Sequence, residues 1–289
     1  DYFMADHSMG EQPSSSNSSD PIPSPKGARA LPILALSLVV VGMGQTIVFA
    51  VLPMLGRELG FHEIAINGLV SGAALMYFLS APRWGRLSDR FGRRPMIIVG
   101  LVGGVCCGTM VFNFSANLGL TGVLSGVTLY CILFLSRMGL AAIMCAVQPA
   151  SMAYVADSTT VEKRTIGLSR MSAANGIGAM LGPSLTIFAT ISLLAPLYIH
   201  ASLGLLAAVL VFFFLPESRD LKERRSEKKL SYFDPRYRDY IFVGVIMHSM
   251  MAVFQQTLGY YFQDTLHLTT TQTTQFYDQG VIVSSGAML

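Results

Sequence analysis

Residues 31–56 read LPILALSLVVVGMGQTIVFAVLPMLG, a stretch without a single charged side chain. A helix needs about 20 apolar residues to cross a hydrocarbon layer about 30 Å thick, so this stretch suits one membrane span. Only helices and closed barrels pair every backbone group within lipid, and alternating barrel strands would not give runs this long. Comparable uncharged stretches follow along the chain, at 64–82, 95–136, 138–156, 171–216 and 240–263.

Seven complete helical spans account for these stretches, because the two longest are too long for one helix each. We therefore predict an all-α integral membrane protein built as a helical bundle. An eighth helix opens near Tyr277, but its uncharged residues, 279–289, are too few to cross the bilayer. The predicted helices 1 to 7 lie near 31–55, 64–82, 95–115, 122–155, 166–190, 193–215 and 240–262.

The composition excludes the usual classes of soluble protein. Hydrophobic residues make up 52% of the chain and charged residues 13%, whereas soluble domains carry roughly 25% charged residues. The sequence has no glycine-rich phosphate loop and no metal-binding spacing of Cys and His. The four cysteines fall inside predicted spans, where they act as small hydrophobic residues. We predict neither an enzyme nor a metal site.

The basic residues are distributed very unevenly along the chain. Of the 20 Lys and Arg residues, nearly all lie before helix 1, after helices 2 and 4, or between helices 6 and 7. Short loops rich in Lys and Arg stay on the cytoplasmic side, so we predict a multi-pass protein of the cell membrane with a cytoplasmic amino terminus. The net charge of +3 reflects this topology and gives no support to nucleic-acid binding.

Composition divides the chain into four regions. Residues 1–28 are rich in Ser and Pro and have little to bury, which predicts a disordered cytoplasmic tail. A six-helix bundle over 29–216, a basic cytoplasmic linker over 217–239 and the start of a second bundle over 240–289 follow. A seven-helix receptor is the alternative that seven spans allow, but it would place the amino terminus outside the cell.

The loop predicted between helices 2 and 3 carries the most specific motif. It reads GRLSDRFGRRP over 85–95, with one carboxylate among several guanidinium groups. The stretch resembles the signature loop of the major facilitator superfamily, G-x-L-x-D-R-x-G-R-R, at every defined position. The resemblance implies two six-helix bundles and a latch that joins them in the outward-facing state. The implied latch residues are Gly85, Asp89, Arg90, Gly92, Arg93 and Arg94, joined by Asp157 at the end of helix 4.

Arg137 is the only Lys or Arg in the middle of a predicted span. A charge at mid-bilayer costs roughly 2.5 to 3.5 kcal/mol, so it requires a cavity, water or a partner. Positions 137, 141, 144 and 148 lie on one helix face, which predicts one cavity for Arg137, Met144 and Gln148. The segment resembles the superfamily's helix 4 motif, R-x-x-x-G, with Ala141 in place of the glycine. The resemblance implies a part for Arg137 in proton transfer and substrate coupling.

Helix 5 carries a ridge of small residues that permits close helix packing. Gly178 and Gly182 are four residues apart, and Pro183 removes a backbone donor and favours a bend. The segment resembles the antiporter motif of drug:proton families in part, because other residues replace several of its glycines. This resemblance favours export over uptake, although plain helix packing explains the same glycines.

Glutamines recur in the helices that the resemblance places around the cavity. Residues 50–53, AVLP, are echoed by 146–149, AVQP, as expected for repeated three-helix units. Nearby Met and aromatic side chains adapt to varied apolar molecules, which favours a lipophilic substrate. Hydrogen bonding to neighbouring helices is the alternative role for the glutamines. The predicted cavity residues are Gln45, Arg137, Met144, Gln148, Gln255, Gln256 and Tyr260.

Proton coupling has less support in the sequence. No Asp or Glu lies in the middle of predicted spans 1 to 7. Arg137, His200 and His248 are the candidates for handling protons, with the histidines titrating near neutral pH. No cofactor is expected beyond the proton gradient as energy source.

The leading hypothesis is a proton-coupled exporter of lipophilic drugs or metabolites that works by alternating access in lipid. The alternatives are an uncoupled facilitator, an importer of a natural small solute, or a transport-incompetent fragment. The last follows from the expectation that about four more helices, which complete the carboxy-terminal bundle, lie beyond Leu289.

Overall fold

The computed structural model describes residues 25–217 and the single positions 239, 242, 243, 246, 247 and 250. Within this part of the chain every regular element is helical, which confirms the predicted all-α membrane fold. A short 3-10 helix, Leu185–Thr190, follows the fifth helix. The main helices are α1 (Pro25–Glu58), α2 (Glu63–Phe91), α3 (Arg93–Leu120), α4 (Gly126–Ser158), α5 (Val161–Ser184) and α6 (Ala195–Phe214).

Five of these helices, all except α5, are long and apolar enough to cross a membrane. The first half of α5 carries Lys163, Arg164 and Arg170, which lowers its mean hydropathy. In the described part of the chain, the most extensive contact between two helices joins α5 to α1. Packing against α1 therefore determines the place of α5 in the bundle more than its own hydropathy does.

The helix ends differ from the prediction in two places. The predicted loop after helix 2 is mostly helical, since α2 continues to Phe91 and Gly92 alone separates it from α3. Hydropathy marks where lipid ends, whereas Arg, Leu and Ser remain compatible with a helix beyond that point. α1 begins at Pro25, so the last four residues of the predicted tail are helical. The fixed φ of proline suits the first helical position.

Three predicted regions lie largely outside the described residues. They are the tail before Pro25, the linker after Glu217, and helices 7 and 8. Their predicted structure stays a prediction.

The packing of the bundle follows two interlocking three-helix units. α1 packs against α5 and α6, and α4 packs against α2 and α3 in the same way. The face of α1 that enters the core is formed by Leu34, Leu38, Val41 and Ile47, whose side chains are fully buried. The two halves of the bundle thus repeat one arrangement around α1 and α4, the helices that carry the AVLP and AVQP sequences.

Glycines bring α3 and α4 into backbone contact. Residues Gly100–Gly108 of α3 form a π-helical segment. A methyl group at Gly108 would lie 3.1 Å from Leu140 Cα, and one at Gly104 would overlap the backbone of Met144. Small residues permit such close approach in membranes. The contact fixes α4 at the level of Met144, one of the predicted cavity residues.

Candidate functional site

The junction of α2 and α3 is a tight turn at the bundle end that carries the basic motif. Gly92 has φ +103°, a left-handed conformation that residues with a Cβ rarely adopt. The turn places Arg93 at the start of α3, beside the end of α2. Because only Gly92 lies between the two helices, side chains at the end of α2 and the start of α3 lie close together.

Arg93 connects α2, α3 and α4 through charged contacts. Its Nη1 lies 2.6 Å from Asp89 Oδ1 and donates to Ser88 Oγ at 3.1 Å, and its Nε donates to Asp157 Oδ2 at 3.0 Å. Arg93 is 6% exposed, so these bonds satisfy a buried guanidinium. We call Ser88, Asp89, Arg93 and Asp157 the Arg93 cluster. The structure thus brings together three of the predicted latch residues, Asp89, Arg93 and Asp157.

Glu217 completes this region and was missed by the sequence analysis. Its carboxylate accepts hydrogen bonds from the backbone N–H groups of Arg93 at 2.9 Å and Arg94 at 3.2 Å. The next residue, Pro95, has no N–H, so the first three positions of α3 leave no donor unpaired. A carboxylate at a helix amino terminus also interacts favourably with the helix dipole. The available signal was a carboxylate directly after predicted helix 6, on the side that the basic residues predict to be cytoplasmic.

The other latch residues are placed less centrally. Arg94 donates from Nη2 to Phe212 O, and its guanidinium lies 5.6 Å from the Phe212 ring centre, which connects it to α6. Arg90 is exposed and lies over the ring of Phe91. Gly85 lies within α2, and a methyl group there would meet no described atom within 4 Å. The chain around Gly85, predicted as a loop, is therefore helical in the structure.

Replacing the carboxylate of Glu217 tests its role at the start of α3. We expect Glu217→Gln to lower the free energy of unfolding by about 1 kcal/mol, because an amide caps the helix without a charge. Thermal unfolding in detergent measures the change. Glu58→Gln is the matched control, since Glu58 is exposed at the carboxyl end of α1. Equal effects of the two substitutions would contradict the assigned cap.

Arg137 lies inside the bundle. It is 9% exposed, and its Nε and Nη1 atoms are buried with no hydrogen-bond partner among the described residues. His200, a residue of α6, is 3% exposed. His200 Nε2 lies 3.0 Å from Val40 O of α1, and the ring occupies the space that a methyl group at Gly44 would need. The structure therefore buries two predicted proton-handling residues inside the bundle, Arg137 on α4 and His200 between α6 and α1.

Three of the four helix 4 residues predicted to face one cavity, Arg137, Ala141 and Met144, are buried. The fourth, Gln148, is partly exposed. The Oε1 atom of Gln148 accepts a hydrogen bond of 2.8 Å from the hydroxyl of Tyr77 on α2, a residue the sequence analysis did not select. Gln45 of α1 is partly exposed. The predicted residues Gln255, Gln256, Tyr260 and His248 lie outside the described residues.

The small residues of helix 5 lie at the contact between α5 and α1. A methyl group at Gly178 would overlap Val39 O, and one at Gly182 would lie 2.7 Å from Met43 O. Pro183 is buried near the end of α5, and the chain continues as the 3-10 helix from Leu185. The segment that resembles an antiporter motif therefore packs directly against the backbone of α1.

Comparison with known proteins relates this geometry to a family. Multidrug resistance protein 1 of Bacillus subtilis (strain 168) is 29% identical over 268 residues, which cover 90% of this chain and 63% of that protein. The class C tetracycline resistance protein of Escherichia coli is 34% identical over 215 residues, which cover 73% of this chain and 50% of that protein. The chain thus spans about half to two thirds of the length of these relatives.

A solved structure shows the same fold. The human organic anion transporter MFSD10 (TETRAN) matches with a TM-score of 0.66 at 19% identity, over 90% of this chain and 71% of that one. The sequence pattern of the Major Facilitator Superfamily matches residues 34–289, which take in the basic motif, Arg137 and the helix 5 glycines. The chain belongs to the Major Facilitator Superfamily of membrane transporters.

Proposed function

We propose that the protein exports lipophilic drugs or metabolites across the cell membrane in exchange for protons, with its amino terminus in the cytoplasm. Relatives named for multidrug and tetracycline resistance, about 30% identical, support export of such compounds. No cofactor is required beyond the proton gradient. The remaining steps of the proposal rest on side chains of the described bundle.

The Arg93 cluster is the observation that best supports a transport cycle. It joins the ends of α2 and α4 through a buried guanidinium and two carboxylates, of which Asp89 is 52% and Asp157 33% exposed. Contacts between a buried cation and partly solvated anions can open without leaving a carboxylate buried and unpaired. We assign the cluster the role of a latch that holds the cytoplasmic side closed and opens when the protein alternates.

The substrate site in this proposal lies beside α1 and α4. Gln45 and Gln148 are partly exposed there, and Met144 adds an adaptable apolar surface. Gln255, Gln256 and Tyr260 are proposed to complete the site from helix 7. Amides among apolar groups suit a lipophilic molecule with few hydrogen-bonding groups, which matches the substrate class.

Arg137 and His200 are proposed to handle the proton. The middle of the described spans contains no Asp or Glu, so a proton held there needs a different group. Both residues are buried inside the bundle, and His200 contacts Val40 O of α1. A movement of α1 relative to α6 during alternation would change the contact of His200. His248 remains a further candidate from helix 7.

Removing the charge of Arg137 tests this assignment. We expect Arg137→Gln to reduce proton-driven export by at least about tenfold, equivalent to about 1.4 kcal/mol, because the glutamine keeps polarity but loses the buried charge that is proposed to handle the proton. Arg137→Lys should retain part of the rate. Export measured in everted vesicles with an imposed proton gradient gives the comparison. Normal rates for Arg137→Gln would remove Arg137 from the coupling mechanism.

Accumulation of a fluorescent lipophilic cation in cells tests the direction of transport. An exporter lowers the internal concentration, and collapse of the proton gradient restores it. An importer raises the internal concentration, and an uncoupled facilitator leaves accumulation unchanged when the gradient is collapsed. Either of the last two outcomes contradicts the proposed function and favours the corresponding alternative.

A further inference from the structure

α4 is interrupted between Met144 and Val147. The cause is Pro149, which has no N–H to donate and whose ring would clash with the carbonyl of Cys145 four residues earlier. At the break, the N–H of Ala146 donates to Ile143 O at 3.1 Å, three residues back. The carbonyl of Ala142, which a regular helix would pair with Ala146, therefore needs a different donor.

α2 supplies that donor. The indole Nε1 of Trp84 donates to Ala142 O at 2.6 Å, and the thiol of Cys145 lies 3.2 Å from the same oxygen. Tyr77 is seven residues before Trp84, so both side chains lie on one face of α2. Tyr77 bonds Gln148, which lies directly after the break. α2 thus holds α4 on both sides of its interruption.

The part of α4 beyond the break is a short helix that side-chain contacts connect to α2 at both ends. This α4 terminal segment, Val147–Ser158, has 12 residues, about 18 Å at the helical rise per residue. Its first end carries Gln148, bonded to Tyr77. Its far end carries Asp157, bonded to Arg93, which in turn pairs with Asp89 of α2.

We propose that the α4 terminal segment is a lever that couples the Arg93 cluster to Gln148, and that Trp84 is the positioning residue that holds its hinge. When the contact between Arg93 and Asp157 opens, the far end of the segment is released and the segment tilts about the break. The tilt moves Gln148 relative to Tyr77. Opening of the cytoplasmic side then changes the substrate site about 14 Å away. In this inference the roles of latch and substrate contact rest on the proposed function. The mechanical coupling between the two ends of the segment does not depend on it.

The fluorescence of Trp84 reports the coupling directly, because Trp84 is the only tryptophan among the 289 residues. We expect Asp157→Asn, which weakens the far end of the lever, to shift the emission maximum of Trp84 in the purified protein. Arg90→Gln is the matched control. Arg90 also loses a charge and lies closer to Trp84 along the chain, but it is exposed and faces Phe91. An unchanged maximum in Asp157→Asn, or an equal shift in the control, overturns the proposal.

A second variant separates a lever from a general loss of structure. Pro149→Ala allows a continuous helix, in which Ala146 pairs with Ala142 O and no hinge remains. In that background we expect Asp157→Asn to cause no further shift. A persistent shift means that Asp157 acts on Trp84 without the hinge and contradicts the lever. If Asp157→Asn does not fold, Arg93→Gln replaces it in both backgrounds.

Transport kinetics give the third readout. Trp84→Phe keeps an aromatic ring but leaves Ala142 O without the indole donor, so we expect the KM of a lipophilic cation to change by about two- to tenfold, with less effect on kcat. A change in folded yield alone would assign Trp84 a purely structural role. Absence of transport in the unsubstituted protein would contradict the proposed function, whereas the fluorescence results would still decide the lever.

Discussion

Arg93→Gln is expected to reduce export at least tenfold and to lower the free energy of unfolding by about 3 kcal/mol. The substitution removes a buried guanidinium with bonds to Asp89, Asp157 and Ser88. Hydrogen bonds to charged groups contribute about 1.5–3 kcal/mol each, and the partly exposed carboxylates regain water, which keeps the loss below the sum of the three bonds. Thermal unfolding and vesicle transport measure the two effects.

Arg90→Gln is the control for this result. It removes the same kind of charge two positions before Gly92, but Arg90 is exposed and its guanidinium stacks on Phe91. We expect its effect on stability to stay within about 0.5 kcal/mol. A similar loss in both variants would show that the total basic charge of this surface matters and the Arg93 cluster does not.

Gly178→Ala is expected to destabilise the protein by about 3 kcal/mol or more. The added methyl group would overlap Val39 O, a backbone atom of α1 that cannot rotate away. Overpacking usually costs 1–3 kcal/mol when side chains can adjust, and here two helices must separate instead. The yield of folded protein and its melting temperature in detergent measure the change.

Gly176→Ala tests the same chemistry two residues away. A methyl group there meets no described atom within 4 Å, so only helix propensity changes, and alanine favours a helix by up to about 1 kcal/mol. The two variants should therefore change stability in opposite directions. A stable Gly178→Ala protein would mean that α1 and α5 are farther apart than this packing requires.

The helices could be predicted from the sequence because lipid imposes one requirement, a long uncharged run, that hydropathy measures directly. The same measure placed the end of helix 2 too early. It detects where lipid ends, while α2 continues to Phe91 through Arg and Asp residues. The error also misplaced Gly85, which the motif suggested for a tight turn and which lies within a helix. Only Gly92, with its positive φ, serves the turn.

Contacts between distant segments could not be derived from residue patterns. Asp157 joined the predicted latch through a resemblance, whereas Glu217, 124 residues after Arg93, had none to indicate it. Pro149, which breaks α4, was visible in the sequence, but it was interpreted there only as part of the AVQP sequence that echoes AVLP. The break leaves the carbonyl of Ala142 without its helical donor, and Trp84 of another helix donates to it instead. No spacing rule connects these residues.

Substrate-dependent proton movement in vesicles that contain the purified protein tests the central claim most directly. A pH-sensitive dye inside the vesicles reports protons while a lipophilic cation is added outside. If export is coupled to protons, we expect protons to move in the direction opposite to the substrate. This movement should saturate with substrate concentration and be lost in Arg137→Gln and Arg93→Gln. Substrate transport without any proton movement, or proton movement unaffected by both substitutions, would contradict it.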